Sequence, residues 1–273
     1  MSPSSSSSQA ILIVGGGQGI GLATTKAILA TAPSTTRVLV FGLHADAGLA
    51  ALAETHAGRV CTVLGDVTVA ADREKAVATC ARVFGGIATL VYCAGVITPI
   101  ERIERVRVGD VEAAFGVNFF GAIGMSQLCL PYLRAASFSN PTNAAFGKVI
   151  ILSSGCDSVV TYMGWMAYCT SKAALTRFVQ LLAHEEPTLS VQGVYPKLTR
   201  TKMAEDLVQG RYKGVMADHE IERFRLWDEI GDAMVEPPEW CAEAVAKLAM
   251  GLFVGLRSGE AADYDLHVPR AKL

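Results

Sequence analysis

The chain is poor in charge and shows no imbalance of sign. Asp, Glu, Lys and Arg make up 18% of its 273 residues, with Lys plus Arg at 24 and Asp plus Glu at 26. A formal net charge of -2 provides no protein-wide basic surface for a nucleic acid. Cys-x-x-Cys pairs are missing, and the seven cysteines (Cys61, Cys80, Cys93, Cys129, Cys156, Cys169 and Cys241) are scattered and odd in number. That pattern suggests neither a disulfide scaffold nor a thiolate zinc site, and a reducing compartment is the simpler reading. The five histidines (His44, His56, His184, His219 and His267) show neither His-x-x-x-His nor His-Glu-x-x-His spacing, so no metal is expected. No basic leader runs into a long apolar stretch, which speaks against secretion. Apolar runs such as 245–256 include Lys247 and fall short of the roughly 20 residues that a membrane span needs. Glycine reaches 26 residues without a three-residue repeat, which excludes collagen.

What is present suits a packed domain. Hydrophobic residues reach 51%, enough for a sizeable core and too many for wholesale disorder. The length fits one large domain, since α/β domains extend to about 250 residues. Ser2 to Ser8 is almost all serine, so residues 1–9 read as a disordered tail and 10–273 as a single domain.

Short apolar runs alternate with helical periodicity. Strands are expected at 10–14, 37–41, 60–64, 87–92, 148–152 and 189–194. Helices are expected at 19–30, 45–56, 70–84, 111–133 and 165–183. This alternation predicts an α/β fold of Rossmann type, a doubly wound parallel sheet with helices on both faces. Residues 199–236 break the rhythm with charge and a bulky set (Tyr212, Met216, Phe224, Trp227), and read as one or two exposed amphipathic helices. Placed before a closing helix (238–252) and strand (264–268), the segment reads as a substrate-binding lid rather than a polar excursion.

Gly15-Gly16-Gly17-Gln18-Gly19-Ile20-Gly21 lies where the first strand meets the first helix. Glycines there permit a tight turn and close approach of a pyrophosphate to the helix N-terminus, whose N–H groups attract an anion. Tyr168 and Lys172 stand four residues apart near the start of a helix and therefore share a face. A neighbouring ammonium is expected to lower the phenol from its ordinary value near 10 toward a usable acid–base. Ser153 and Ser154 end the fifth strand, at the sheet edge where open α/β folds carry functional groups. Asn118 sits inside the long central helix, where it carries a propensity penalty and signals a helix irregularity, a polar core bond or a function.

The spacing Gly15-x-x-x-Gly19-x-Gly21 and the Tyr168-x-x-x-Lys172 pair resemble the short-chain dehydrogenase/reductase family in its classical form, over roughly residues 10–203. The resemblance implies that Gly15, Gln18, Gly19, Ile20, Gly21, Gly42, His44, Asp66, Val67, Cys93, Ala94, Gly95, Tyr168, Lys172, Pro196 and Thr201 contact a dinucleotide. It also implies a Ser154, Tyr168, Lys172 and Asn118 set, in which Tyr168 transfers the proton and Ser154 orients the substrate oxygen. Lys172 would tune Tyr168, and Asn118 would hold a water leading from Lys172 to solvent.

Several positions depart from the family pattern. Val14 replaces the usual Thr, and Tyr92-Cys93-Ala94-Gly95 keeps only the last two residues of Asn-Asn-Ala-Gly. Lys197 stands where a Gly is usual, with its side chain either near the cofactor or turned outward. Ser154 lies 14 residues before Tyr168, one more than is common, which leaves Ser153 as a rival. Gly42-Leu43-His44 offers no carboxylate for the adenine ribose before Asp46, so NADP(H) is favoured over NAD(H), with His44 or Arg37 as helpers.

Gly164-Trp165 resembles the sepiapterin reductase and benzil reductase-like branch, which implies a small or aromatic carbonyl or alcohol substrate. Trp165, Cys156, Tyr162 and Met203 either line its pocket or simply pack. The family resemblance further implies a homodimer or homotetramer joined through the helices at 111–133 and 165–183, with no membrane or nucleic-acid partner. A catalytically dead nucleotide sensor or scaffold is the rival reading, and the retained Tyr168 and Lys172 weigh against it. The ending Ala271-Lys272-Leu273 differs by one small residue from a peroxisomal Ser-Lys-Leu address, so peroxisome and cytoplasm are both expected locations.

Overall fold

The computed structural model describes residues 9–138, 147–253 and 255–269. The Ser-rich start and the closing Ala271-Lys272-Leu273 lie outside the described residues.

A seven-stranded parallel sheet forms the centre. Its strands are β1 (Ala10–Val14), β2 (Arg37–Gly42), β3 (Val60–Leu64), β4 (Thr89–Tyr92), β5 (Lys148–Leu152), β6 (Ser190–Tyr195) and β7 (Ala261–Asp263), in the spatial order β3-β2-β1-β4-β5-β6-β7. β1 and β5 are buried at every residue, as expected where both faces of a parallel sheet are covered. The order reverses between β1 and β4, so the C-terminal ends of these strands open a crevice at the switch point.

Helices α1 (Gly19–Thr31), α2 (Ala47–Thr55) and α3 (Ala70–Phe84) follow β1, β2 and β3. α4 (Val108–Phe115), a π-turn (Gly116–Phe120) and α5 (Gly121–Phe138) follow β4, and α6 (Met166–Glu185) follows β5. One core cluster joins Leu12, Leu90 and Ile151 to Ala76 of α3, Met125 of α5 and Leu175 of α6. The other joins Ile11, Ile13 and Val91 to Ile28 of α1 and Val245 of α9 (Pro238–Met250). Proline at the first position starts α9 with its missing N–H at no cost, and Gly251 at φ 72 ends it in the left-handed region.

The run Val108–Ala136 has the length and apolarity to cross a membrane, which the sequence reading had not singled out. Here it covers the sheet, with Ala122, Met125, Cys129 and Leu133 wholly buried in the core.

Two expectations need correction. The helix expected at 111–133 is not regular, because the π-turn Gly116–Phe120 interrupts it and turns Asn118 inward. The strand expected at 264–268 is a helical turn, α10 (Tyr264–His267), and the last strand precedes it. Tyr264 and His267, three apart, are both buried: Tyr264 donates to Glu236 at 2.7 Å, and a ring nitrogen of His267 lies 2.8 Å from the Gly193 carbonyl. A one-sided pair at that spacing suits a helical turn and not a strand.

Between β6 and α9 lie α7 (Lys202–Val208) and α8 (Asp218–Ile230). α8 is only partly exposed, since Ile221 and Phe224 pack with Ile97, Ile100 and Trp165 in a third apolar cluster.

Candidate active site

A cleft of about 960 Å³ runs from the glycine-rich turn, past the ends of β2, β3 and β4, to the aromatic cluster under α8. Each glycine at its floor answers a close approach. Gly15 has φ +77, and a Cβ there would lie 2.6 Å from the Ala94 nitrogen. A Cβ on Gly17 would lie 1.8 Å from the His44 carbonyl oxygen, and one on Gly21 2.3 Å from that of Gly15. Gly17→Ala is therefore expected to separate the turn from the end of β2. It should weaken dinucleotide binding ~5- to 150-fold in a fluorescence titration, as the overpacking strain of ~1–3 kcal/mol displaces the turn.

Gln18 precedes α1 without a side-chain capping bond, and the first turn contains no acidic residue. The helix N-terminus thus keeps its N–H groups and positive dipole end for an anion, which fits a dinucleotide pyrophosphate. Thr201 approaches from the opposite wall, its Cγ2 3.4 Å from where a Gly19 Cβ would be. Gly42, His44, Asp66, Val67, Cys93, Ala94, Gly95 and Pro196 line the same cleft. Asp66 accepts from the Thr68 amide and hydroxyl through one oxygen, both at 2.8 Å.

Asp46, the nearest carboxylate after β2, accepts from Leu49 N at 3.0 Å as the cap of α2. Leu43 and His44 are exposed beside it. Arg37 begins β2, at the strand end away from the cleft, and donates to the Ser34 carbonyl. It is therefore no helper for the cofactor. Lys197 is likewise committed, 2.5 Å from Asp265, 3.9 Å from Glu236 and 5.6 Å from the Tyr264 ring centre.

Ser154, Tyr168 and Lys172 meet in the middle of the cleft. Lys172 Nζ lies 5.8 Å from the Tyr168 ring centre and donates to the Leu152 carbonyl at 2.8 Å. Ser153 turns away, bonded to Thr176 at 2.7 Å and to the Lys172 carbonyl at 3.3 Å. Ser154 instead faces the phenol and accepts from Cys156 N at 3.2 Å. The additional residue in the Ser154–Tyr168 interval is taken up by the 3-10 turn Gly155–Asp157, with Val159 N and Val160 N both bonded to the Gly155 carbonyl.

Burial pushes the Tyr168 phenol up, against the smaller downward pull of the Ser154 hydroxyl. The lowering expected from Lys172 is not what sets the phenol: burial does, Cys156 and Cys169 add to it, and only the Ser154 hydroxyl pulls the other way. Lys172 itself is lowered to about 8 by burial.

Asn118 is wholly buried and spends its amide on three bonds. It accepts from Val96 N at 2.8 Å and donates to the Val96 carbonyl and the Ser171 hydroxyl, both at 2.9 Å. Ser171 in turn donates to the Tyr168 carbonyl at 2.8 Å, so Asn118 links the loop after β4 to the first turn of α6. Val96, Ser171 and the Leu152 carbonyl went unnoticed in the sequence, because backbone acceptors and a common serine carry no motif.

Tyr92 was noticed only as a departure, and its hydroxyl donates to the Val117 carbonyl inside the π-turn. It supplies a pin of its own where the family pattern has Asn. Tyr92→Phe should lower stability by ~1 kcal/mol, the net worth of such a bond, and the melting temperature by ~2–4 °C in calorimetry.

Residues 9–211 match the family model described as short chain dehydrogenase. The chain belongs to the short chain dehydrogenase family. This dehydrogenase is 31% identical over 222 residues to the benzil reductase ((S)-benzoin forming) of Saccharomyces cerevisiae, covering 78% of this chain and 80% of that protein. It is also similar to a 3-phenylpropionate-dihydrodiol/cinnamic acid-dihydrodiol dehydrogenase of Photorhabdus laumondii, at 31% identity, covering 69% of this chain and 64% of that protein. Its fold superposes on a short chain dehydrogenase/reductase from Saccharomyces cerevisiae with a TM-score of 0.84 and 25% identity, covering 94% and 96% of the two chains. The protein is thus an NAD(P)(H)-dependent oxidoreductase.

Proposed function

We propose that the enzyme is an NADPH-dependent carbonyl reductase acting on aromatic ketones or diketones of the benzil type. The observation that carries this reading is the convergence of Ser154, Tyr168 and Lys172 between the glycine-rich turn and an aromatic cluster. Tyr162 and Trp165 lie 4.6 Å apart by ring centres, and Phe224 stacks on Trp165 at 6.0 Å with 10° between planes. Met203 and Trp227 line the same end of the cleft. Such a wall suits an aryl group, and the likeness to benzil reductase supports the same substrate class. Residues 199–236 serve as the lid, with Phe224 of α8 as its contact to substrate.

A dinucleotide held along Gly15, Gly19, Gly95 and Thr201 would supply hydride chemistry at the carbonyl carbon. Tyr168 Oη gives its proton to the carbonyl oxygen, and the Ser154 hydroxyl orients that oxygen and stabilises its developing charge. Lys172 holds positive charge beneath the phenol, and Asn118 is a positioning residue that fixes α6 against the loop carrying Gly95. A phenol kept protonated by burial is in the state that donates, as carbonyl reduction requires. NADP(H) is favoured because Asp46 is committed to α2 and no other carboxylate faces the ribose from the end of β2. The protein works as a homodimer or homotetramer through α4–α5 and α6.

Turnover of benzil with NADPH and NADH, monitored by nucleotide oxidation, tests this reading. NADPH is expected to have the higher kcat/KM, and His44→Asp should reverse the preference. Equal use of both nucleotides by both proteins would refute the cofactor assignment.

The pH profile provides another test. Lys172 carries its proton below about pH 8, so reduction should be level there and fall above it as one proton leaves. Stability runs the opposite way for this group. Its folded value is below the ordinary 10.5, so between about 8 and 10.5 the unfolded chain binds more protons and stability rises with pH. Loss of rate above pH 8 without a falling melting temperature therefore identifies titration in the site rather than unfolding.

A further inference from the structure

Two of the seven cysteines sit against the reacting groups. Cys156 lies two residues after Ser154 and donates its N–H to the Ser154 hydroxyl oxygen at 3.2 Å. Cys169 directly follows Tyr168 on the first turn of α6, with its thiol 3.9 Å from the Val160 carbonyl oxygen. Both pack against the third apolar cluster, both are partly exposed, and the turn Gly155–Asp157 that carries Cys156 packs on α6, which makes the two thiols electrostatic neighbours. Cys156 also lines the cleft, so a small polar reagent entering the substrate end meets its sulfur.

The other cysteines contrast with this pair. Cys80, Cys129 and Cys241 are buried, and burial pushes the Cys93 thiol up to about 12. In the pair, the Cys169 proton and the Ser154 hydroxyl both stabilise a Cys156 thiolate and lower it, while Cys169 is raised as the partner that keeps the proton. A reactive thiolate beside a protonated resolving thiol is the arrangement that dithiol redox sites require.

We propose that Cys156 and Cys169 form a dithiol oxidised by hydroperoxides, and that its disulfide closes the active site by tying the Ser154 turn to α6. The Cys156 thiolate attacks the peroxide oxygen. The O–O bond breaks, and hydroxide leaves and takes up a proton as water. The resulting Cys156 sulfenic acid is attacked by the Cys169 sulfur, the S–O bond breaks, and the hydroxyl leaves with the Cys169 proton as a second water. Two thiols are oxidised by two electrons, and one hydrogen peroxide is reduced to two waters. The two cysteines lie on neighbouring, mutually packed elements, and bonding requires their sulfurs to close to about 2 Å. That approach draws Cys156 toward α6 and carries Ser154 with it, out of the position from which it orients the substrate oxygen. The loss of turnover rests on the reductase reading, whereas the disulfide does not.

The test treats the full chain with hydrogen peroxide, blocks remaining thiols with N-ethylmaleimide and maps the peptides. A Cys156–Cys169 crosslink is expected, removed by dithiothreitol. Benzil reduction with NADPH should fall ~10- to 100-fold with the crosslink, the effect of misplacing a positioning group, and return on reduction. Cys169→Ser should keep the untreated rate, form no crosslink, and accumulate a dimedone-reactive sulfenic acid at Cys156. Both thiols found alkylated after peroxide would overturn the proposal, and a crosslinked chain with an undiminished rate would overturn the closing of the site. If even the untreated chain fails to reduce benzil, the reductase reading fails while the peptide map still decides the dithiol.

Discussion

Tyr168→Phe is expected to lower kcat/KM for carbonyl reduction by ~10³-fold, about 4 kcal/mol of transition-state stabilisation, while leaving NADPH affinity within a few-fold. The size follows from the role. The hydroxyl faces Ser154 and is held as an acid by burial, and Phe keeps the ring that packs edge-on to Trp165 at 5.8 Å. Only the proton donor is removed, so the fold and the aromatic wall persist. Steady-state kinetics paired with a nucleotide titration separate the two effects. An unchanged kcat/KM would assign the proton to another group.

Asn118→Leu has the next largest expected effect, and it falls first on stability. Leucine would leave Val96 N and the Val96 carbonyl without their partner in the π-turn, while the Ser171 hydroxyl would lose one donor and keep its bond to the Tyr168 carbonyl. Buried polar groups stranded in this way cost ~1–3 kcal/mol each, so the two Val96 groups give a total of roughly 2–6 kcal/mol. That is a large share of the ~5–15 kcal/mol that holds a domain folded, and the melting temperature should fall by about 10 °C or more. Activity should fall too. A Cβ placed on Gly95 would lie 3.4 Å from Asn118 Oδ1 and 3.6 Å from Lys172 Nζ, so the three groups share one space. Asn118→Asp keeps the acceptor for Val96 N and loses the two donated bonds, and should be intermediate in melting temperature. Calorimetry of the three proteins checks the order, and equal melting temperatures would show that the amide bonds contribute little.

The sequence made the sheet legible because its strands are buried on both faces. β1 reads as an unbroken apolar run and β5 as one after Lys148, both are buried throughout, and their observed limits coincide with the expected ones; the edge strand β3, interrupted by Thr62 and partly exposed, also keeps its expected limits. The π-turn was signalled only by Asn118, whose place inside a helix allowed an irregularity there; its type and limits were not legible, since one inserted residue leaves the composition of Gly116–Phe120 like that of an α-helix. The C-terminal strand was placed too late because Tyr264 and His267 supply apolar surface without strand pairing.

In the site, the Tyr168–Lys172 spacing was informative because helix geometry fixes it. Ser153 and Ser154 were not separable, since alternation along an extended chain sends neighbours to opposite sides and sequence does not say which side holds Thr176. The phenol was expected to be lowered by Lys172, but spacing carries no information on desolvation, and burial dominates there. The Cys156–Cys169 proximity was invisible for a related reason: twelve residues separate the two cysteines, and Cys156 lies in a 3-10 turn whose packing on α6 sequence does not show.

Deuterium transfer tests the central claim most directly. NADPH carrying deuterium at the transferable nicotinamide position is incubated with benzil and the enzyme, and the product alcohol is analysed by mass spectrometry and NMR. Direct hydride transfer with Tyr168 as acid predicts one deuterium on the carbinol carbon and a hydroxyl proton from solvent. Product formed without deuterium on that carbon, or no oxidation of either reduced nucleotide across a panel of carbonyls, would contradict it.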